Sequence, residues 1–260
     1  LIQGIPGFKV HSKLLLIRRK EGDKNVYYAN VGTGNFNEET ARVYADDSLL
    51  TADPLVTADV NAVFHLFESK YNPPKFKSLI VAPFHMRNFF TRMINNEIRN
   101  AKNGKEAWCI IKLNNLVDEK MVKKLYQAGK AGVKVRIICR GTCTLVPGIK
   151  GLSENIEVIS IIDRFLEHSR VFVFHNGGEE KYYISSADWM VRNLDNRIEV
   201  ACPVNDAGLR QELKTMLLIQ LKDNAKARFV NHPDINPYKD AGKTPRIRSQ
   251  QEIYNYLKGI

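Results

Sequence analysis

The sequence contains little cysteine and no long apolar run, and each shortage argues against a class of protein. Four of the 260 residues are cysteine, too few for a dense disulfide scaffold, and they form neither a C-x-x-C pair nor a Cys/His cluster that would bind zinc. All four lie in apolar or strand-like segments, at Cys109, Cys139, Cys143 and Cys202. Buried, reduced thiols and a cytoplasmic protein are therefore predicted. The sequence has no run of about eighteen apolar residues, and its first residues lack the charged, apolar and small-residue succession of a signal peptide. Neither a membrane span nor a secretory signal is therefore indicated.

Acidic residues are outnumbered by basic ones. The chain has 39 Lys and Arg against 28 Asp and Glu, a formal net charge of +11. This excess favours a polyanionic partner such as nucleic acid, a phosphorylated substrate, polyphosphate or an acidic membrane surface, and charge alone does not choose among them. We interpret the cations of the tail after Asn231 as a solvated face. The sequence starts at Leu1, almost directly on a strand, which predicts a fragment of a longer protein.

Two segments of the chain repeat one pattern. His11 and Lys13 lie just before one apolar run, and His168 and Arg170 lie just before another. In each copy a further strand follows and ends in a loop of small residues, at 32–35 in the first copy and 185–188 in the second. Two histidines from matching positions of two repeats are therefore predicted to face each other across one site.

Paired histidines at such a site suit substitution at phosphorus. A neutral imidazole is a nucleophile at pH 7, and a protonated one donates to a leaving oxygen. His11 and His168 can divide these roles, one taking a phosphoryl group while the other supports the departing phosphate. Lys13 and Arg170 would neutralise the non-bridging oxygens. The loop at 32–35 would add backbone N–H donors, because glycine allows close approach to a phosphate.

A structural role for these histidines is the alternative interpretation. A single strand histidine is more often a partly buried residue with satisfied hydrogen bonds, but two copies with matched cations and loops favour a site. The remaining histidines lack this context and are predicted to be structural or superficial: His65, His85, His175 and His232. The glycines at 32 and 34 lack the third glycine of a dinucleotide fingerprint, and the sequence contains no P-loop.

The alternation of apolar strands with amphipathic helices predicts an α/β fold, with mixed sheets flanked by helices in two related units. The first unit ends in a helix over 53–71, and Pro73 and Pro74 mark a boundary that divides the chain into 1–74 and 75–260. The second unit contains a βαβ pattern. Its predicted elements are strands at 79–83, 108–113, 133–139 and 156–162 and helices at 86–103, 118–129, about 206–228 and about 251–257.

The repeat resembles the phospholipase D superfamily, whose signature is H-x-K-x4-D followed later by a G-S-x-N-like segment. The aspartate position holds Arg18 in the first copy and His175 in the second, which argues against a phosphodiesterase proper. The chain is more similar to the C-terminal half of bacterial polyphosphate kinases of the long, histidine-phosphorylated type. The motifs that carry this resemblance run in order along nearly the whole chain, at 10–17, 32–37, 40–44, 112–118, 140–141, 167–168, 185–190 and 197–200.

The resemblance implies a role for individual residues. His11 matches the histidine that becomes phosphorylated, and His168 matches the second active-site histidine, which contacts the nucleotide phosphates and acts as acid or base. Tyr44 and Arg140 match nucleotide-binding positions. Arg197 is assigned to phosphate contacts, as is Lys13. Two aspartates, Asp46 and Asp188, are left outside the catalytic set because each could orient a histidine or equally serve as a turn or cap residue.

The resemblance also implies an activity, reversible transfer of the γ-phosphoryl group of ATP to polyphosphate through a phosphohistidine. Residues 1–74 would be the later part of a first phospholipase D-like catalytic domain, and 75–260 the second. Magnesium is expected for the full-length enzyme with ligands upstream of Leu1, so no metal ligand is predicted here. A homo-oligomer is expected for the full-length form, peripheral membrane association is left open, and nucleic acid is not an expected partner. The alternatives are a phospholipase D-like phosphodiesterase or nuclease, and a non-enzymatic basic module that binds polyanions.

Overall fold

Hydrophobic periodicity places most of the helices and strands. The computed structural model describes residues 7–68, 73–230, 235–240 and 242–259. Its α-helices are Glu38–Ala41 (α1), Pro54–Glu68 (α2), Met86–Lys102 (α3), Glu119–Lys130 (α4), Val191–Asp195 (α5), Ala207–Lys222 (α6) and Ser249–Lys258 (α7). Its strands are Lys9–Val10 (β1), Lys13–Glu21 (β2), Lys24–Gly32 (β3), Tyr44–Ala45 (β4), Ser48–Thr51 (β5), Ile80–Ala82 (β6), Trp108–Leu113 (β7), Lys134–Cys139 (β8), Ile156–Ile161 (β9), Leu166–Glu167 (β10), Arg170–Phe174 (β11), Lys181–Ser185 (β12), Arg197–Pro203 (β13) and Ala227–Phe229 (β14).

The largest sheet has nine strands and is covered by helices on both faces. Its order is β1-β13-β12-β11-β7-β8-β9-β14, with β6 also beside β13. Strands β7, β8 and β9 are parallel to one another, whereas β7, β11, β12 and β13 pair antiparallel. Phe90 of α3 and Leu125 of α4 pack on one face, and Val60 of α2 and Leu217 of α6 pack on the other. Cover on both faces explains why every residue of β11 is buried.

A smaller antiparallel sheet, in the order β2-β3-β5, belongs to the first unit. Side chains alternate between the two faces of a strand. Leu14 and Leu16 of β2 therefore pack against the cluster that contains α2, with Val31 of β3. Leu15 and Ile17 are exposed on the opposite face. The first unit thus buries one face of its sheet, whereas the central strands of the second unit bury both.

The two units exchange short parallel strands. Strand β1 of the first unit pairs with β13 of the second, and β10 of the second pairs with β4 of the first. Beyond each exchanged strand two consecutive amides share one carbonyl: His11 and Ser12 donate to Ile198 O at 3.0 and 3.1 Å, and His168 and Ser169 donate to Ala45 O, both at 3.0 Å. Each histidine therefore lies just beyond the end of a strand rather than within one. At this point the chain leaves the strand of the other unit with which it was paired.

The α/β class, with mixed sheets flanked by helices in two related units, is confirmed. Among the described residues, no helix combines the length and apolar character needed to cross a bilayer. The helix predicted over 53–71 is observed as α2, and residues 69–72 lie outside the described part of the chain. The domain boundary at residue 74 remains a prediction.

Two predictions about the second unit were incomplete or wrong. The predicted helix over 206–228 ends at Lys222, because the Asp223 carboxylate accepts hydrogen bonds from the amides of residues 225, 226 and 227 and from Ser249 N. These bonds turn the chain into β14. Strand β13 was not predicted, although Ile198, Val200 and Cys202 alternate along it with a two-residue period and are buried.

Candidate active site

The first half-site is built around His11. Its Nδ1 lies 2.9 Å from Oε2 of Glu199, a residue of β13 that is fully buried. The same carboxylate accepts hydrogen bonds from the Ser186 hydroxyl and, at 2.6 Å, from the Asn193 amide. Because the carboxylate accepts a hydrogen bond from Nδ1–H, it selects the tautomer whose Nε2 carries the free lone pair. The His11 side chain is 23% exposed, so this nitrogen is available to a substrate.

The second half-site repeats the arrangement around His168. Its Nδ1 lies 2.8 and 3.0 Å from the two carboxylate oxygens of Asp46, which also accepts the Thr33 hydroxyl at 2.6 Å. The His168 side chain is only 11% exposed. The ring of Tyr44 lies beside it, with 4.9 Å between the ring centroids and 49° between their planes. Here too the carboxylate fixes the tautomer and the orientation of the imidazole.

Each histidine is therefore oriented by the other unit. Glu199 follows the residue of β13 that pairs with β1, and Asp46 follows the residue of β4 that pairs with β10. Each carboxylate also receives a hydroxyl from the small-residue loop of its own unit. The sequence predicted no role for Glu199 and left Asp46 undecided between an orienting and a capping role. The available signal was that Glu199 lies in the block 197–200, already noted for its resemblance, and that Asp46 lies two residues after the block 40–44.

Lys13 and Arg170 occupy equivalent places in the two half-sites. They begin β2 and β11 and pair with the ends of β3 and β12, respectively. Both are buried, and each donates to the backbone carbonyl of the histidine two residues before it. Burial lowers the pKa of Lys13 to about 8, against the opposing effect of Glu199. A desolvated ammonium with few other partners is suited to binding an anion.

Arg170 also connects the two units. Its Nη1 donates to Thr33 O of the first unit at 3.3 Å, and its Nε lies 3.1 Å from the Asp188 carboxylate. The Lys13 pKa responds to Arg170 and to Asp46, which belong to the second half-site. Because Arg170 of the second unit bonds to Thr33 of the first and also acts electrostatically on Lys13, the two half-sites lie near each other.

Arg140 lies near the second half-site, and Arg197 lies near the first. Arg140 follows β8, and its Nε donates to the Asn114 side-chain oxygen. Burial and the neighbouring Arg170 lower the pKa of Arg140, while Asp188 opposes the shift. Arg197 begins β13 and acts on Lys13 as a further cation. The structure thus places Lys13 and Arg197 with His11, and Arg140 and Arg170 with His168.

The second half-site favours a neutral imidazole. Burial lowers the pKa of His168, and the nearby Arg170 acts in the same direction, whereas the hydrogen bond to Asp46 raises it. Burial would raise the pKa of Asp46, but hydrogen bonds from His168 and Thr33 more than offset this effect and lower it. In the absence of a bound anion, a neutral His168 therefore faces an ionised Asp46 at pH 7.

The glycine-rich loop packs against the side chain of Asp46. Thr33 N donates to Asp47 O at 2.9 Å, so this amide is already engaged. At Gly34, an added Cβ would lie 2.2 Å from a carboxylate oxygen of Asp46. Glycine is therefore needed here because the Asp46 side chain packs against the backbone. The loop positions the carboxylate that orients His168.

The other polar residues singled out in the sequence lie elsewhere. Asp188 accepts hydrogen bonds from Arg170 and from Asn114 N, which places it behind the guanidinium rather than on a histidine. His65 is exposed beside Glu68, His85 Nε2 lies 3.3 Å from Leu79 O, and His175 Nδ1 lies 3.0 Å from Glu106 O. His232 is outside the described residues. Within the described part of the chain, no group of three or more His, Cys, Asp or Glu side chains is arranged to hold a metal ion.

Comparisons with family models agree on one family. Residues 79–250 match the model described as polyphosphate kinase C-terminal domain 2, and residues 1–73 match polyphosphate kinase C-terminal domain 1. The polyphosphate kinase of Vibrio parahaemolyticus is 54% identical to this chain and that of Escherichia coli K12 is 47% identical, both over 260 residues. These alignments cover all of this chain but only 37% and 38% of the two relatives. The chain thus spans less than half the length of the curated relatives.

Solved structures extend the comparison to the fold. The polyphosphate kinase of Porphyromonas gingivalis is 44% identical, with a TM-score of 0.92 over 98% of this chain and 40% of that one. The phosphatidylserine synthase of Haemophilus influenzae is only 10% identical, with a TM-score of 0.55 over 90% of this chain and 68% of that one. The second likeness concerns the fold alone.

Proposed function

The chain belongs to the polyphosphate kinase family, and on that premise we propose that it carries the phosphoryl-transfer site of an ATP:polyphosphate phosphotransferase. The observation that carries this proposal is the pair of imidazoles, each held at Nδ1 by a carboxylate from the other unit. Four cations surround the pair: Lys13, Arg140, Arg170 and Arg197. One nucleophile, one acid or base and several phosphate-binding cations are the parts that such a transfer requires.

In the proposed first step, Nε2 of His11 attacks the γ-phosphorus of ATP. An N–P bond forms, the bond from phosphorus to the bridging oxygen breaks, and its electron pair leaves with ADP. The imidazole gains positive charge in this step, and the buried Glu199 carboxylate stabilises it through Nδ1–H. The carboxylate also prevents the ring from turning, because Ser186 and Asn193 hold it in place.

His168 would support the departing phosphate. Its imidazole is neutral at pH 7, and an adjacent polyanion favours the protonated form, because an opposite charge raises the pKa of an imidazole. His168 can then donate a hydrogen bond to the leaving β-phosphate oxygen, while Asp46 holds Nδ1. The Tyr44 ring lies beside this histidine, where it can contact the nucleotide.

In the proposed second step, a terminal oxygen of polyphosphate attacks the phosphorus of phospho-His11. The N–P bond breaks, its electron pair returns to Nε2, and polyphosphate grows by one phosphate. Each step is reversible, so the same site would make ATP from ADP and polyphosphate. Lys13 lies on the His11 side and Arg140 on the His168 side, where they would neutralise the transferred group and the nucleotide phosphates.

No step is assigned to magnesium. The carboxylates nearest the histidines are Asp46 and Glu199, and each is already engaged by an imidazole and a hydroxyl. The remaining groups are mostly cations, which suit phosphate oxygens rather than a metal ion. The described residues around the two histidines therefore do not fit a magnesium site, although the family is expected to use the metal.

The proposed partners follow from the same chemistry. ATP, ADP and inorganic polyphosphate are the substrates, and a net charge of +11 would attract them. Nucleic acid is not proposed as a partner. A cytoplasmic location and a homo-oligomeric full-length enzyme remain part of the proposal, with peripheral membrane association still open.

Mapping the labelled residue tests the proposal. The full-length enzyme is incubated with γ-labelled ATP, and we expect acid-labile label on the peptide that contains His11. His11→Ala should abolish the label, His168→Ala should reduce it, and His65→Ala is the matched control that should leave it unchanged. Label on another residue, or cleavage of a phosphodiester without ATP, would contradict the proposal. Polyphosphate binding that survives His11→Ala with His168→Ala, in an enzyme that never becomes labelled, would favour a non-enzymatic module.

A further inference from the structure

Helix α7 begins beside the segment that carries His168. The Gln250 side chain donates from Nε2 to Phe165 O at 2.8 Å, and its Oε1 accepts from Phe165 N at 3.0 Å. These are the two bonds that a neighbouring strand would make with this residue. The next residue, Leu166, donates instead to Val43 O of the first unit at 2.8 Å. Gln250 therefore occupies the edge of β10 that faces away from β4.

Glu167, the residue before His168, is a buried carboxylate held from three elements. Its Oε2 accepts from Lys112 Nζ of β7 and from Gln220 Nε2 of α6, both at 2.7 Å, and its Oε1 accepts from Gln250 Nε2 of α7 at 2.8 Å. Burial would raise the pKa of Glu167, but Lys112 and the hydrogen bonds from the two glutamines lower it overall. The carboxylate is therefore ionised at pH 7 and accepts from all these donors.

Polar bonds fix the start of α7. Arg248 donates from Nη2 and Nε to the two carboxylate oxygens of Asp163 at 2.6 and 2.7 Å. Ser249 is buried, and its amide donates to Asp223 Oδ2 at 2.7 Å. Farther along the helix, side chains of α6 and α7 line a cavity of about 280 Å³. The bonds at 248–249, which lie outside this void, therefore determine where the Gln250 side chain is presented.

Strand β10 needs such support because it is short. It has two residues, which pair with two residues of β4, so the backbone alone supplies few bonds to hold it. The Asp46 carboxylate belongs to the first unit, whereas the His168 ring that it orients follows β10 directly. A shift of β10 would therefore move the imidazole relative to its carboxylate.

We propose that Gln250 is a positioning residue for His168. Through Phe165 and Glu167 it holds β10 in place, so that the imidazole stays aligned with Asp46 and with the nucleotide phosphates. This role rests on the proposed function, because it is expressed only in a phosphoryl transfer that His168 supports. Gln250 itself is assigned no contact with substrate.

Replacement of the amide tests this role in the full-length enzyme. Gln250→Met removes both hydrogen-bonding groups and keeps an unbranched side chain that favours a helix. We expect it to slow labelling of His11 by γ-labelled ATP by about tenfold. A misplacement of about 1 Å can cost about 100-fold in rate, and the bonds from β10 to the first unit limit the shift. Rapid-quench labelling measures the rate.

Gln251→Met is the matched control. Gln251 is exposed on the same helix, and its amide donates to the Asn255 side chain at 3.2 Å. This substitution should leave the rate of labelling unchanged.

The same substitution in a His168→Ala background shows whether Gln250 acts through the imidazole. There we expect Gln250→Met to slow labelling of His11 by less than about twofold, because the group that it positions is absent. A merely structural role would slow labelling by the same factor in both backgrounds. Equal factors would overturn the proposal, and so would an unchanged rate for Gln250→Met alone.

A second variant covers loss of folding. If circular dichroism shows that Gln250→Met is unfolded, Gln250→Asn carries the same test, because its amide is one methylene too short to keep both bonds to Phe165. It should slow labelling in the otherwise unchanged enzyme and have little effect in the His168→Ala background. Equal slowing in the two backgrounds would again overturn the positioning role.

The measurements separate this role from the proposed function. If His11 is labelled and His168→Ala slows the labelling, the proposed function is supported, and the comparison of backgrounds decides the role of Gln250. An enzyme that never labels His11 would overturn the proposed function, and the positioning role with it. Labelling that is unaffected by His168→Ala would retain His11 as the nucleophile and overturn both the role of His168 and that of Gln250.

Discussion

The apolar strands that follow the two histidines have matching sequences and opposite surroundings. Lys13 pairs with the end of β3 as Arg170 pairs with the end of β12, so Leu15 corresponds to Phe172 and Ile17 to Phe174. Both phenylalanines are fully buried, whereas Leu15 is 43% and Ile17 51% exposed. The difference arises because β11 lies between β7 and β12 under α3, while β2 is an edge strand among the described residues.

The repeat contains positions that orient the histidines and positions that form the core. The positions that orient the histidines are matched in both units, down to the hydroxyl that holds each carboxylate. The positions that form the core are not matched, since the second unit has helices on both faces of its sheet. The repeat therefore preserves the site symmetrically, while the second unit supplies most of the packing.

Truncation of the matched apolar residues should show the largest difference. Phe172 stacks on Trp189, with 5.2 Å between the ring centroids. The ring centroids of Phe172 and Phe90 are 4.6 Å apart. We expect Phe172→Ala to lower the free energy of unfolding by about 3–5 kcal/mol, and Leu15→Ala by less than about 1 kcal/mol. Urea denaturation of the chain measures both. Equal losses would show that the face with Leu15 is part of the core.

The next largest difference should be between substitutions of the two orienting carboxylates, measured as the rate of phosphorylation. Glu199 is fully buried, whereas Asp46 is partly exposed. We expect Glu199→Gln to slow phosphorylation of the full-length enzyme by at least about 100-fold, because the amide can no longer stabilise the imidazolium. Asp46→Asn should slow it by about tenfold. Rapid-quench labelling with γ-labelled ATP compares the rates, and His65→Ala controls for the loss of an unrelated histidine.

If Asp46→Asn slowed phosphorylation more than Glu199→Gln, the proposed roles of the two histidines would be reversed. His168 would then be the histidine whose charge changes most.

The two hydroxyls that hold these carboxylates offer a smaller contrast. Ser186→Ala would leave the buried Glu199 oxygen with one partner fewer, and we expect a loss of about 1–3 kcal/mol in the free energy of unfolding. Thr33→Val should cost less, about 0.5–1.5 kcal/mol, because water can reach Asp46. Thermal and urea denaturation measure both losses. A greater cost at Thr33 would show that burial does not distinguish the two half-sites.

The smallest expected effect is in the titration of His168. Burial lowers its pKa in the folded chain below the ordinary value of about 6.5. The unfolded state therefore binds the proton more readily, so this group destabilises the fold as the pH falls through 6.5 toward the folded pKa. We expect a midpoint below 6.5 in an NMR titration of the His168 ring. Asp46→Asn should lower it further, since Asp46 raises the pKa; an upward shift would contradict this assignment.

Local patterns in the sequence predicted most of the elements and the candidate site residues. Period-two and period-three-to-four apolar spacing identified β2, β3, β7, β8 and most of the helices, because these elements bury one face or both. The repeat predicted His11, His168, Lys13 and Arg170 as candidate site residues, since residue type and order are local properties. The end of α6 could not be found in this way, because Asp223 stops the helix through bonds that include Ser249, on a different element.

Only the tertiary structure decided which groups meet. His11 and Glu199 are 188 residues apart, and His168 and Asp46 are 122 apart. Their pairing depends on strand exchange between the units. The sequence by itself therefore determined the chemical groups and their local elements, whereas long-range backbone pairing decided their partners, because spacing along a chain carries little information about which distant strands lie side by side.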